Sequence, residues 1–215
     1  MAYTLVIGTK NWSSWSLRPW LALRAAGAPF EEIVLRLRQP GTKGEILKHA
    51  PSGKVPLLKI AEGGREHLVW DSLAICETLA ERHAQAQLWP ENPFARAEAR
   101  AYAAEMHAGF RDLRDQLPMN FAHRLAAPEL RDETKAQVAR IIEAWDGALS
   151  RHKGEFLFGR FSIADCMYAP VCSRFVTYGI ETPEPVRAYI ARIMALPAMQ
   201  DWGRASQAEV DAGLA

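Results

Sequence analysis

Two hydrophobic periods divide this chain, and the change between them falls before its midpoint. Tyr3 to Gly8 (YTLVIG) is a compact β-branched run bounded by Gly8-Thr9-Lys10-Asn11, the pattern of a buried strand. Leu17, Trp20, Leu21 and Arg24 continue at helical spacing until Ala26-Gly27-Ala28-Pro29 stops them. Ser13, Ser14 and Ser16 form the cap region of this helix, with Pro19 expected inside its first turn. Phe30 to Leu37 (FEEIVLRL) gives a second strand, returned parallel to the first by the helical crossover. Residues 38–50 begin with turn chemistry and pass through a short helical run. Val55 to Ile60 then reads as a strand opened by Pro56, Glu62-Gly63-Gly64 as a tight turn and His67-Leu68-Val69 as the returning strand. Asp71-Ser72 stands before the apolar stripe Leu73, Ile75, Cys76 and Leu79, so one of the pair caps a helix. A βαβ unit, a hairpin and a helix make the order of a thioredoxin-like domain.

After Glu81-Arg82-His83 the composition shifts. AQAQLWPENPF, with Pro90, Asn92 and Pro93, cannot continue a helix, and everything beyond Arg96 is Ala-rich with helical spacing. The pattern predicts a thioredoxin-like domain over 1–83, a linker over 84–93 and an all-helical domain over 94–215. Its helices are expected at Ala97 to Leu117, ended or kinked by Pro118, then Pro128 to His152, one opened by Ser162, Pro183 to Leu196 and Met199 to Val210. Ser162 with Asp165 three residues on is a capping box, and Phe161 beside it serves as a staple. The fold class is therefore α/β followed by all-α.

Composition narrows the function classes. The 215 residues are 49% hydrophobic, enough for a full core, and 26 basic against 25 acidic side chains give no electrostatic case for nucleic acid or an anionic membrane. Cys76, Cys166 and Cys172 lie on apolar helix faces without CxxC or Cys/His spacing, so core thiols are expected and no metal is implied. No glycine-rich phosphate loop is present. MAYTLVIGTK lacks the pattern of a signal peptide, and no run approaches eighteen apolar residues. A cytoplasmic protein is the simplest expectation.

The chemistry concentrates on the hairpin. A cis Val55-Pro56 bond would turn the backbone N–H and C=O of Val55 outward, free to pair with an extended peptide. The helix start after Asp71-Ser72 offers unpaired N–H groups and a positive dipole end, a seat for a carboxylate. Together these describe a small-peptide site. The V-P-x-L segment, hairpin and acid-Ser pair resemble those of the glutathione S-transferases. That resemblance implies that Val55, beside Pro56, pairs with the cysteinyl unit of glutathione and that Asp71 and Ser72 hold its γ-glutamyl end.

The stretch Ser13-Ser14-Trp15-Ser16-Leu17-Arg18 is similar to the S-S-C-S-x-R motif of the zeta class, the maleylacetoacetate isomerases. The resemblance implies that a serine of the leading pair is catalytic, Ser14 being favoured and Ser13 close behind. A hydroxyl donating to sulfur at a helix N-terminus stabilises thiolate over thiol, and lowering a thiol pKa by roughly two units needs on the order of 3 kcal/mol. Trp15 departs from the pattern, standing where zeta-class and beta-class enzymes keep a cysteine; this weakens isomerase and redox readings. Trp15 and Ser16 join the expected glutathione contacts, as do Lys43 and Lys54, either as partners for the glycyl carboxylate or as ordinary surface lysines.

An acceptor site between the domains would draw on Trp12, Trp15, Met106, Phe110, Arg111, Arg114 and Met119. For the apolar members the competing assignment is the core. For Arg111 and Arg114 it is pairing with Asp112, Asp115 or Glu105 on an exposed face, against binding of a carboxylated acceptor. Three functions fit. One is a glutathione transferase that adds the thiol to a small electrophile, with glutathione as co-substrate. The second is a zeta-like isomerase, and the third a non-catalytic binding or regulatory domain of this fold. The family implies a homodimer.

Overall fold

A computed structural model describes residues 1–215. Four strands form one sheet in the order β2-β1-β3-β4: β1 (Ala2–Gly8), β2 (Phe30–Leu35), β3 (Leu57–Glu62) and β4 (Arg65–Val69). β1 runs parallel to β2, with Tyr3 beside Phe30, and antiparallel to β3, with Tyr3 beside Ile60. The hairpin closes at Gly63 and Gly64, whose φ of 59° and 74° are left-handed values that glycine adopts without a Cβ penalty. Helices α1 (Ser14–Ala25), α2 (Thr42–Leu47) and α3 (Ser72–Arg82) complete the first layer. β2 ends two residues earlier than the pattern predicted, and β3 begins after Pro56 rather than at Val55, since proline donates nothing to a ladder. Pro19 is the sixth residue of α1 and not part of its first turn, so its missing N–H leaves the carbonyl of Trp15 without its usual helical donor.

The second layer is helical: α4 (Pro93–Ala108), α5 (Arg111–Gln116), α6 (Asp132–His152), α7 (Ile163–Tyr178), α8 (Glu184–Ala195) and α9 (Pro197–Asp211). The single helix expected from Ala97 to Leu117 is broken in two. Gly109 donates back to the carbonyl of Glu105 at 2.8 Å, and a Cβ at 109 would sit 2.8 Å from that same oxygen. The chain leaves the helix there, and Phe110, at a left-handed φ of 59°, turns its ring into the core. α6 starts four residues later than expected, at Asp132, where two acidic residues meet the positive end of the helix. The fold is a thioredoxin-like β/α domain followed by a helical bundle.

One continuous core joins the layers because α1 is wedged between them, packed on α3 and on α7. A second, small cluster of Val6, Ile46, Ala50 and Leu57 holds α2. The loop after β1 is tied to the last helix: the carboxylate of Glu209 accepts from the amides of Lys10 at 2.8 Å and Asn11 at 2.9 Å, and Trp202 Nε1 donates to the Lys10 carbonyl at 2.9 Å. At the start of α7, Asp165 accepts from the Ser162 amide at 2.8 Å and its hydroxyl at 3.0 Å, with Leu157 N–H and the Tyr189 hydroxyl on its other oxygen. No helix is long and apolar enough to cross a membrane.

Candidate active site

Where the two layers meet, the segment before β3, the starts of α3 and α1 and the end of α4 enclose a cleft of about 650 Å³. One wall is the segment leading into β3, Ser52, Gly53, Lys54, Val55 and Pro56, with a cis Val55-Pro56 bond. Val55 makes no backbone hydrogen bond within the protein. Ile46 of α2 and Trp70 extend this wall.

The opposite wall is the start of α3. Asp71 caps the helix, its Oδ1 accepting from the amides of Leu73 at 3.1 Å and Ala74 at 3.4 Å. Its Oδ2 lies 3.0 Å from Nε2 of His107, on α4. Ser72 is fully buried beneath the cleft, and its hydroxyl has no hydrogen-bond partner in the protein. A buried hydroxyl without a partner is costly unless a ligand or water completes it.

Trp15 forms the floor. The guanidinium of Arg18 lies 4.2 Å from its ring centroid and that of Arg114 lies 5.4 Å away, while the His107 ring meets it edge-on at 5.4 Å. Arg18 is fully buried with all three guanidinium nitrogens unpartnered, and burial, then Arg174 and Arg114, push its pKa down to about 9. Arg174 of α7 is also buried, and burial followed by the charge of Arg114 lowers it to about 10. None of these three arginines has a carboxylate within ion-pair distance.

The serines lie just behind this floor. Ser13 precedes α1, its Oγ 2.7 Å from Ser16 Oγ, and Ser16 accepts from the amide of Gly8 at 3.2 Å. Ser14 is the first residue of α1, and its Oγ accepts from Nη2 of Arg174 at 3.2 Å. Both are 5% exposed, and neither lines the cleft, which the next residue, Trp15, does.

Of the residues expected to meet glutathione, the cleft wall brings together Trp15, Lys54, Val55, Pro56, Asp71 and Ser72. Ser16 is buried beneath them, and Lys43 stands exposed on α2 outside the cleft. The expected acceptor residues scatter. Trp12 is half-buried under the Arg38 guanidinium at 4.4 Å; Met106, Phe110 and Met119 are core residues. Arg111 is exposed and pairs with Asp115 at 3.6 Å. Arg114 is half-buried, donating to the Gly109 carbonyl beside Trp15. Cys76, Cys166 and Cys172 are all buried, and burial pushes each thiol well up. Sequence reasoning missed His107 and Arg174, since a single histidine or arginine inside a long helix carries no spacing signal. No group of three or more His, Cys, Asp or Glu side chains is placed to hold a metal ion.

The family model for the glutathione S-transferase N-terminal domain matches residues 12–82, and that for the C-terminal domain matches residues 128–202. A probable maleylacetoacetate isomerase of Caenorhabditis elegans is 28% identical over 159 residues, covering 74% of this chain and 72% of the relative. Glutathione S-transferase GstB of Escherichia coli K12 is 27% identical over 173 residues, 77% of this chain and 80% of the relative. The solved maleylacetoacetate isomerase of Anaeromyxobacter dehalogenans 2CP-1, with glutathione in its active site, superposes with a TM-score of 0.69 at 27% identity, over 94% of this chain and 95% of that one. A Burkholderia glutathione transferase homologue shares the fold with a TM-score of 0.73 at 22% identity, over 97% and 99% of the two chains.

Proposed function

The chain belongs to the glutathione S-transferase family, and from that premise we propose that it binds glutathione in the cleft between Val55 and Ser72 and adds the glutathione thiol to a small electrophile. The observation that carries this reading is the juxtaposition of a free Val55 backbone with the capped start of α3, where the buried Ser72 hydroxyl lacks a partner. Glutathione would complete both: its cysteinyl backbone pairs with Val55, its γ-glutamyl carboxylate takes the Ser72 hydroxyl and amide, and its ammonium faces Asp71. Lys54, on the cleft wall, would take the glycyl carboxylate.

In this reading the thiol reaches past the Trp15 ring to the Ser14 hydroxyl at the N-terminus of α1, just behind the cleft floor, which donates to the sulfur and favours thiolate over thiol. The thiol proton leaves to solvent. The thiolate lone pair then forms the C–S bond as the electrophile either expels its leaving group with the bonding pair or takes up a proton at the adjacent carbon. Rate comes from thiolate formation and from holding two substrates together. A homodimer is part of this reading.

A second reading, a maleylacetoacetate isomerase-like reaction, is favoured by the relatives of that name at 27–28% identity. There the thiolate adds to a conjugated diacid and is expelled after bond rotation. Trp15, in place of the zeta-class cysteine, counts against it.

Thiolate absorbance of the glutathione complex, titrated with pH, tests the proposal. A thiol pKa depressed in the native protein and restored in Ser14→Ala is the expected result. Glutathione bound with an unshifted thiol would make the protein a binding module, and loss of the shift in Ser13→Ala alone would move the role to Ser13.

A further inference from the structure

We propose that Arg174, contributed by the helical domain, is a positioning residue that fixes the Ser14 hydroxyl as a hydrogen-bond donor; this rests on the thiol-activating reading of Ser14. A serine hydroxyl has one proton to give and two lone pairs to accept with, whereas a guanidinium only donates. The 3.2 Å contact between Arg174 Nη2 and Ser14 Oγ therefore has one possible direction: the arginine gives and the serine accepts. Ser14 makes no other side-chain hydrogen bond, so its proton is unspent. Ser13 differs. Its oxygen faces another hydroxyl, Ser16, at 2.7 Å, and either can be the donor, so no contact fixes its proton as free for a thiolate.

The rest of Arg174 holds that nitrogen in place. Nε donates to the Leu117 carbonyl at 2.8 Å and Nη1 to the Pro170 carbonyl at 3.3 Å, so the guanidinium plane is pinned between α7 and the segment after α5. Its partners are neutral, and no carboxylate cancels its charge. A cation donating to Ser14 Oγ draws electron density from the O–H bond and makes that hydroxyl a stronger donor toward a thiolate. No proton is transferred in this role: the thiol proton goes to solvent, and Ser14 keeps its own.

The experiment is the ultraviolet titration of bound glutathione in the native protein, Arg174→Gln, Arg174→Lys, Ser14→Ala and the Ser14→Ala/Arg174→Gln double variant, with glutathione affinity measured alongside. The expected result is a bound-thiol pKa about one unit higher in Arg174→Gln, roughly tenfold less thiolate at a fixed pH below the pKa, with the glutathione Kd within about twofold of native. Arg174→Lys recovers part of the shift, and the double variant is no worse than Ser14→Ala. Should circular dichroism show Arg174→Gln unfolded, the lysine variant alone decides, since a lysine cannot keep all three guanidinium contacts and its thiol pKa must lie between native and Ser14→Ala. A depressed native thiol that is lost in Ser14→Ala but untouched by either Arg174 variant overturns this inference and leaves the proposed function standing. A native thiol that is not depressed overturns both.

Discussion

Nε2 of His107 lies 3.0 Å from Oδ2 of Asp71, joining the first turn of α3 to the far end of α4. The other oxygen of the same carboxylate caps α3, so one aspartate serves the helix, the histidine and, in the proposed complex, the glutathione ammonium. Replacing His107 by Ala should loosen Asp71 and raise the glutathione Kd about fivefold, close to 1 kcal/mol. Asp71→Ala should weaken binding further and cost about 1 kcal/mol of stability through the lost cap. Calorimetric titration with glutathione checks the first, and an unchanged Kd in His107→Ala would show that Asp71 is oriented by its cap alone.

Trp15 separates the cleft from the buried Arg18 guanidinium. Trp15→Ala removes the ring on which that cation rests and should lower stability by about 2 kcal/mol, roughly 4–8 °C in Tm for a chain of this size. Trp15→Phe should recover more than half of the loss. Thermal melts of the two variants decide, and equal losses would show that the aromatic face contributes nothing to holding Arg18.

The carboxyl of Asp165 is pushed up to about 6 by burial, against four donors that pull it down. Its folded value thus lies above its unfolded one, and the native state binds the proton more tightly. The resulting stabilisation is full below about pH 4, declines as pH rises toward 6 and is absent above. From pH 4 to 6.5 the native protein should lose up to about 3 kcal/mol relative to Asp165→Asn, which cannot titrate there. Denaturant midpoints at a series of pH values read this directly; a constant difference between the two proteins would mean that the four donors outweigh burial.

Arg111 and Arg114, one helical turn apart in sequence, have different surroundings. Arg111→Ala removes an exposed pair and should leave turnover within about twofold and stability within about 0.5 kcal/mol. Arg114→Ala removes the donor to the Gly109 carbonyl and the cation beside Trp15, and should cost about 1–2 kcal/mol. A tenfold fall in turnover for Arg111→Ala, measured with any accepted electrophile, would place the acceptor on the outer face of α5.

The parts of this molecule that can be read from sequence are those built by neighbours along the chain. The hairpin over Leu57–Val69, the Asp71 cap and the Ser162–Asp165 box each need only residues close together along the chain. The break at Gly109 is not of that kind, because glycine costs a helix only about 1 kcal/mol and what settles the matter is Phe110 turning into a core assembled from other helices. The same holds for the site. Val55, Pro56, Asp71 and Ser72 share a short segment, whereas Arg174 reaches Ser14 from 160 residues away and His107 reaches Asp71 from a helix whose own pattern gives no reason for a histidine.

Glu209 gives the chain a consequence in time. The amides of Lys10 and Asn11, which lead into the serines of α1, find their acceptor on the last helix, and the Lys10 carbonyl finds its donor on Trp202 of the same helix. A chain synthesised from its N-terminus can pair β1 with β2 and close the hairpin long before residue 209 is made. Its thioredoxin-like half would then present a complete sheet with an untethered loop after β1, and the loop would settle only when α9 arrives to hold it.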